Sequence, residues 1–272
     1  MFKLGVTLYL LFFLTLASFS GAARAATDPK DFKIILDPGH GGSDYGSVFK
    51  SKAEFFAEKD ATLRMAAEVK RQLENKGYPV ILTRERDADI ALNARTAIAN
   101  KEKAKLFVSI HMNSSPAKGA YAEGVETYIL NNTTDQTSRR LTELENKGLD
   151  PTKGSNLTSQ TEVNLILKDL VIDSNLSESK RLACALQKHL VSVTGQKPRG
   201  VKQAMFMVLL GADMPSALIE MGFVTNPKDR KLTTSEHGIR AMAAAMVRAI
   251  EQFRIQQGTE KAHQELSSCL VR

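Results

Sequence analysis

The run Ile34-Ile35-Leu36, joined directly to Asp37-Pro38-Gly39-His40-Gly41-Gly42, constrains this chain more than any other stretch. An apolar run closed by Pro and Gly predicts a buried strand that leaves its sheet abruptly. The glycines permit a tight turn, with φ above zero where needed. His40 is thereby offered at the carboxyl end of a strand, where open α/β sheets place their ligand sites. A lone loop histidine commonly has no partner, so His40 gains meaning only from partners elsewhere in the chain.

The chain beyond His40 repeats a strand–helix rhythm. Lys33–Leu36 is the first strand, and Asp37–Ala57 reads as a Gly/Ser-rich loop. A helix opens at Glu58-Lys59-Asp60, with Leu63, Ala66, Ala67, Val69 and Leu73 at helical spacing and Gly77 as its stop. Tyr78–Thr83 is the second strand. Residues 90–104 read as a helix with Leu92, Ile98 and alanines inward. Leu106–His111 is a third strand and Gly124–Leu130 a fourth. Such βαβαβ order implies an α/β domain with a mostly parallel central sheet and helices on both faces.

Residues 131–178 change character and read as one helical insertion. Polar loop composition flanks a charged helical segment, Ser138–Lys147. Glu162–Asp173 and Glu178–Val193 come next as two helices. Met205–Leu210 and Ser216–Glu220 read as short strands, and 237–256 as an Ala-rich final helix. One catalytic domain over 26–256 and a loosely held tail, Gln257–Arg272, complete the expected organisation.

The first 25 residues read as a targeting segment. Lys3 supplies positive charge, Leu4–Phe19 is apolar, and Ala23-Arg24-Ala25 fits a small-x-small cleavage site. A mature chain starting near Ala26 is therefore expected outside the cytoplasm, periplasmic or secreted, with no membrane span after cleavage. The net charge of +7 comes without a dense Lys/Arg run or interleaved aromatics, so nucleic acid is not expected as a partner. Cys184 and Cys269 are too few for a disulfide framework or a zinc–thiolate cluster. Cys184, within a helical pattern, reads as a small core residue.

His40 and His111 fall at the ends of neighbouring predicted strands, and Glu58 opens the helix after the first. A His/His/Glu set leaves one position open on tetrahedral zinc, as in catalytic sites. Glu54 competes for the third place, but it lies inside the loop, whereas Glu58 can be held rigidly. His189 and His237 read as surface residues on helices, and His263 lies in the tail. Hydrolysis at such a metal needs a second acid to move protons. Glu220 ends the apolar run Ala217-Leu218-Ile219 at the same sheet edge, and an apolar setting raises a carboxyl pKa. Three Ser-x-x-Lys matches, at Ser47, Ser115 and Ser177, lack a Lys-Thr-Gly companion and arise readily in a Ser/Lys-rich chain.

At these residues the chain resembles the zinc-dependent N-acetylmuramoyl-L-alanine amidases of type 3. The matching segments are Leu36–Gly42, Glu58-Lys59-Asp60, Leu82-Thr83-Arg84 with Asp87, Leu92 and Arg95, then Ser109–Asn113, Gly124–Tyr128 and Ile219–Asn226. The resemblance runs from about Lys33 to Arg254. It implies zinc on His40, Glu58 and His111, catalysis by Glu220, and cleavage of the amide between N-acetylmuramic acid and L-alanine in peptidoglycan. Tyr45 departs from the family's usual Pro, and the loop from His40 to Glu58 is longer than usual. Thr83, Arg84 and Arg95 fit structural roles, with Asp87 as the expected partner. The 131–178 insertion resembles the segment that division-associated members use to cap the zinc with a carboxylate until an activator protein displaces it. Glu143 and Glu145 are the inhibitory candidates. A zinc carboxypeptidase acting on wall peptides and a non-catalytic peptidoglycan-binding module are the competing expectations.

Overall fold

The computed structural model describes residues 27–115, 122–146, 160–257 and Cys269, with the backbone alone for 160–174. Residues 1–25, read as a targeting segment, lie outside the described residues, as does most of the tail. Strand β1 (Ile34–Pro38) leads to a small antiparallel hairpin, β2 (Val48–Lys50) and β3 (Phe55–Ala57), and then helix α1 (Glu58–Glu74). Next come β4 (Val80–Leu82), α2 (Leu92–Lys101), β5 (Leu106–Asn113), β6 (Val125–Leu130) and α3 (Gln136–Glu145). The chain closes with α4 (Gln160–Thr194), β7 (Pro198–Ala204), β8 (Ser216–Phe223), α5 (Pro227–Thr234) and α6 (Glu236–Ile255).

Six strands form one sheet in the order β4-β1-β5-β8-β6-β7. The first four are mutually parallel; β6 runs antiparallel to β8, and β7 runs parallel to β6. The carboxyl ends of β1, β5 and β8 therefore share one edge with the amino ends of β6 and β7. Alternation along each strand divides the core. Ile34, Leu36, Val108, Ile110 and Ile219 face one side, where α1, α4 and α6 supply Met65, Leu186 and Met246. Ile35, Phe107, Tyr128 and Leu218 face the other, against Ala99 of α2, Leu141 of α3 and the turn residues Phe206 and Leu209. Truncating a fully buried Phe such as Phe107 costs about 3–5 kcal/mol in a core of this kind.

The structure departs from the sequence-based expectations at several points. Met205–Leu210 is not a strand but a run of turns; the strand is the preceding segment, Pro198–Ala204. That segment is polar and holds Pro and Gly, as suits an edge strand. The two helices expected between 162 and 193 are one helix, α4. Asp, Ser and Asn near residue 174 each cost under about 0.7 kcal/mol inside a helix, too little to break it. The long loop before Glu58 contains the β2–β3 hairpin.

Cys184 packs against the core as expected, and the structure adds a bond that was not. Cys184 and Cys269 form a disulfide that closes an 85-residue separation, with Cα atoms 6.1 Å apart. Cys269 is thereby tied to α4. Spacing carries no information on pairing when only two cysteines are present.

Candidate metal centre

Beyond β1 the chain passes through Gly39 into His40, whose φ is +60°, a conformation that L residues seldom adopt. Two arginines hold it there. Arg84 donates through Nε to the Pro38 carbonyl at 3.0 Å and through Nη2 to the Gly39 carbonyl at 2.8 Å. Arg95 donates through Nη2 to the His40 carbonyl at 3.0 Å and through Nη1 to the Asp37 carboxylate at 2.8 Å. Asp37 is fully buried and also accepts from the hydroxyls of Thr83 at 2.6 Å and Ser109 at 2.7 Å. The structural partner of Arg95 and Thr83 is thus Asp37. Asp87, the expected partner, accepts instead from Lys59 at 2.8 Å and from the Gly42 amide. Burial alone would raise the pKa of Asp37, but the Arg95 charge and the two hydroxyls outweigh it and hold the pKa below the ordinary value.

Glu58 is the first residue of α1, where backbone N–H groups and the helix dipole favour an anion. Its Oε2 accepts from the Ser47 amide at 2.8 Å and its Oε1 from the Met112 amide at 2.7 Å. His111 lies on β5 just before a register shift against β8; such irregularities re-aim side chains beside functional sites. Space is tight. A Cβ added at Gly39 would overlap the His111 imidazole, and one at Gly46 would meet both His40 and Glu58.

Four groups converge. His40 Nε2 lies 3.1 Å from Glu58 Oε1 and 3.2 Å from Glu145 Oε2. His111 Nδ1 lies 3.2 Å from Glu58 Oε1 and 3.1 Å from Glu145 Oε2. All four ligand atoms fall within 4.8 Å of one another. Zinc bonds of about 2.0–2.2 Å in tetrahedral geometry set ligand atoms roughly 3.3–3.6 Å apart, close to the four His–Glu separations. His40 Nε2, His111 Nδ1 and Glu145 Oε2 are buried with no hydrogen-bond partner. Asp44, through Oδ2 at 2.8 Å, engages His40 Nδ1, the arrangement that turns the other ring nitrogen's lone pair toward a metal. Burial opposes a charge on His111, but the facing Glu145 and Glu58 carboxylates outweigh it and push its pKa up to about 9. His40 is raised likewise, chiefly by Glu58 against the effect of burial. The pocket thus carries a negative field suited to a cation. The donor set of two nitrogens and two carboxylates fits zinc.

Glu220 on β8 is register-paired with His111 on one side and Glu126 on the other. Both of its carboxylate oxygens are buried without a partner. Burial first, then the charges of Glu145, Glu58 and Glu126, raise its pKa well above the ordinary value. Glu145 is the last residue of α3, and the next residue fastens that end. Asn146 donates to the Met205 carbonyl at 3.0 Å and accepts from the Met207 amide at 3.0 Å. A cavity of about 350 Å³ opens beside the cluster, bordered by His40, Asp44, Leu92, His111 and Glu145.

The structure therefore brings His40, Glu58, His111 and Glu145 together, with Glu220 on the adjacent strand. It does not bring in Glu54, which pairs with Arg230 at 3.1 Å, or Glu143, which is exposed. His189 bonds Gln252 on α6 at 2.7 Å, His237 is exposed, and His263 lies outside the described residues. Asp44 was missed by the sequence reading. Its place four residues after His40 was the available signal.

Residues 34–252 match the family model described as N-acetylmuramoyl-L-alanine amidase. The chain is 33% identical over 222 residues to the amidase AmiC of Neisseria meningitidis, which covers 81% of this chain and 52% of that one. It is 31% identical over 233 residues to AmiA of Escherichia coli, covering 85% of this chain and 78% of that one. Among solved structures, the N-acetylmuramoyl-L-alanine amidase of Clostridium difficile superposes with a TM-score of 0.63 at 28% identity, covering 84% of this chain and 98% of that one. This chain spans about half the length of the Neisseria relative. It belongs to the N-acetylmuramoyl-L-alanine amidase family of type 3.

Proposed function

We propose that this chain is an exported zinc amidase that cleaves the bond between N-acetylmuramic acid and L-alanine in peptidoglycan, in the service of wall remodelling or cell separation. One observation carries the reading: unpartnered His40 Nε2 and His111 Nδ1 converge with Glu58 beside a second, separately buried carboxyl, Glu220. His40, Glu58 and His111 would hold the ion. Zinc, when bound, supplies Lewis-acid polarisation of the scissile carbonyl and acidifies water at the open position. Glu220 would take a proton from the attacking water and deliver it to the leaving nitrogen. Its raised pKa suits a group that must hold the proton between those steps. Asp44 orients His40, and the Asp37–Arg95 pair fixes the loop that presents it.

Glu145 gives the reading a second part. Its carboxylate lies 3.1–3.2 Å from the nitrogens of both histidines and would serve as a fourth ligand, so that α3 would exclude water and substrate. An activator protein acting on the 131–178 insertion would withdraw α3 and free that position. Residues 147–159 of the insertion lie outside the described residues. Among the described residues no helix is long and apolar enough to cross a membrane.

The test is product analysis on purified peptidoglycan with the zinc-loaded Glu145→Ala protein, in which the inhibitory carboxylate is gone. Release of intact stem peptides, abolished in Glu220→Gln while bound zinc stays stoichiometric, is the expected result. Release of single terminal amino acids would indicate a carboxypeptidase instead. Binding without any product, in wild type and in Glu145→Ala alike, would indicate a wall-binding module.

A further inference from the structure

Glu126 on β6 is wholly buried, and it takes no part in holding the ion or in carrying the proton. Four donors converge on it. The Tyr128 hydroxyl at 2.6 Å and the Asn113 amide at 3.2 Å reach Oε2; Lys202 Nζ at 3.0 Å and Arg199 Nε reach Oε1. Strand β7 is bulged to make this contact. Val125 pairs with Pro198 and Thr127 with Val201, so Arg199 and Gly200 together oppose Glu126. Gly200 takes φ +87°, which accommodates the extra residue. The bulge aims Arg199 at the edge of the sheet that carries the metal centre.

The charges there do not balance. Arg199 and Lys202 share one carboxylate, and Lys197 borders the same cavity, about 350 Å³ in volume. Asp135 also lines it, accepting from the Ser138 amide and hydroxyl at 2.7 and 2.6 Å and interacting with the Lys202 charge, so three cations face two carboxylates. Arg199 is held through Nε, and its guanidinium lies 4.9 Å from the Phe223 ring centroid. Its two terminal nitrogens have no hydrogen-bond partner among the described residues, so a planar two-donor face remains for an anion.

The order of strands gives this site its meaning. From His40 the sheet edge passes His111 on β5, Glu220 on β8, Glu126 on β6 and then Arg199 on β7. Strands lie about 4.8 Å apart, so β7 is roughly 10 Å beyond Glu220, on the side away from His40. A leaving peptide laid along this edge from Glu220 toward β7 would reach Arg199. Extended peptide advances about 3.3–3.6 Å per residue, so that distance corresponds to its second or third residue. We infer that Arg199 and Lys202, set by Glu126, form a subsite for a free carboxylate on the second or third residue of the leaving peptide. The inference rests on the amidase reading above and deepens it: the enzyme discriminates carboxylate from carboxamide on the stem.

The test compares two soluble muramoyl-peptides that differ only in whether those carboxylates are free or amidated. The enzyme is the full zinc-loaded chain carrying Glu145→Ala. The expected preference for the free carboxylate is about tenfold in kcat/KM, expressed in KM. Arg199→Gln removes the preference by lowering kcat/KM on the free carboxylate about tenfold more than on the amidated compound, and Arg199→Lys restores part of it. A preference that survives Arg199→Gln, or an equal fall on both compounds, overturns the subsite. If neither compound is cleaved, the amidase reading fails, and calorimetric binding of both to the full chain carrying Glu145→Ala and Glu220→Gln then decides the subsite alone. Tighter binding of the free carboxylate that Arg199→Gln abolishes sustains it, and equal binding of the two compounds overturns it.

Discussion

Asp37→Asn isolates what holds His40 in place. The exchange keeps shape but removes the only carboxylate that faces the Arg95 guanidinium among the described residues, in a pair whose side chains are 0% and 4% exposed. Leaving one partner of a buried pair uncompensated costs about 3–5 kcal/mol. For a domain of this size each kcal/mol lowers Tm by about 2–4 °C, so the expected fall is roughly 6–20 °C. The pH dependence has a defined sign. The folded-state pKa of Asp37 is depressed, so its contribution is fully present above the unfolded value and is lost as pH falls through the folded one. The gap in Tm between wild type and variant is therefore largest near neutrality and narrows below the ordinary aspartate value of 3.8. Thermal melts of both proteins by circular dichroism, with chelator present to remove metal linkage, measure this. A Tm within about 2 °C of wild type at neutral pH, or a gap that does not narrow in acid, would refute the reasoning.

Three further outcomes rest on the same geometry. Glu58→Gln abolishes stoichiometric zinc binding, read by metal analysis after dialysis, because the replacement amide is a poor ligand between His40 and His111. Asp44→Ala weakens zinc affinity by about 10–100-fold in a competition titration, because His40 loses the group that sets its ring. Cys184→Ser, or reduction of the disulfide, removes a cross-link over 85 residues and about 2–4 kcal/mol of stability. That corresponds to a fall of roughly 5–15 °C in a calorimetric melt.

Much of the site was legible because its residues lie at punctuation points of the chain. His40 comes after Asp-Pro-Gly at the end of an apolar run, His111 ends another, and Glu58 opens a helix, so type and position coincide. Glu145 was legible only by resemblance; Glu143 and Glu145 look alike in the sequence, and the helix turn alone decides which reaches the pocket. The support around the candidate ligands was hidden. Arg95 and Asp37 are 58 residues apart, and no periodicity links them. Strand β7 was missed because an edge strand shielded on one side only can stay polar, whereas the apolar run after it, 205–210, buries Phe206, Val208 and Leu209 from turns. The disulfide was missed because one pair of cysteines in a chain of this length has no spacing rule.

The central claim is that Glu145 occupies the position an ion at His40, Glu58 and His111 must keep open for hydrolysis. The direct measurement is the rate of stem-peptide release from peptidoglycan by zinc-loaded wild type and Glu145→Ala, with and without chelator, products identified by mass. The account gives a rate at least about tenfold higher for Glu145→Ala, abolished by chelator and restored by zinc. An unchanged or lower rate in Glu145→Ala, or release that persists when the metal is stripped, would contradict it.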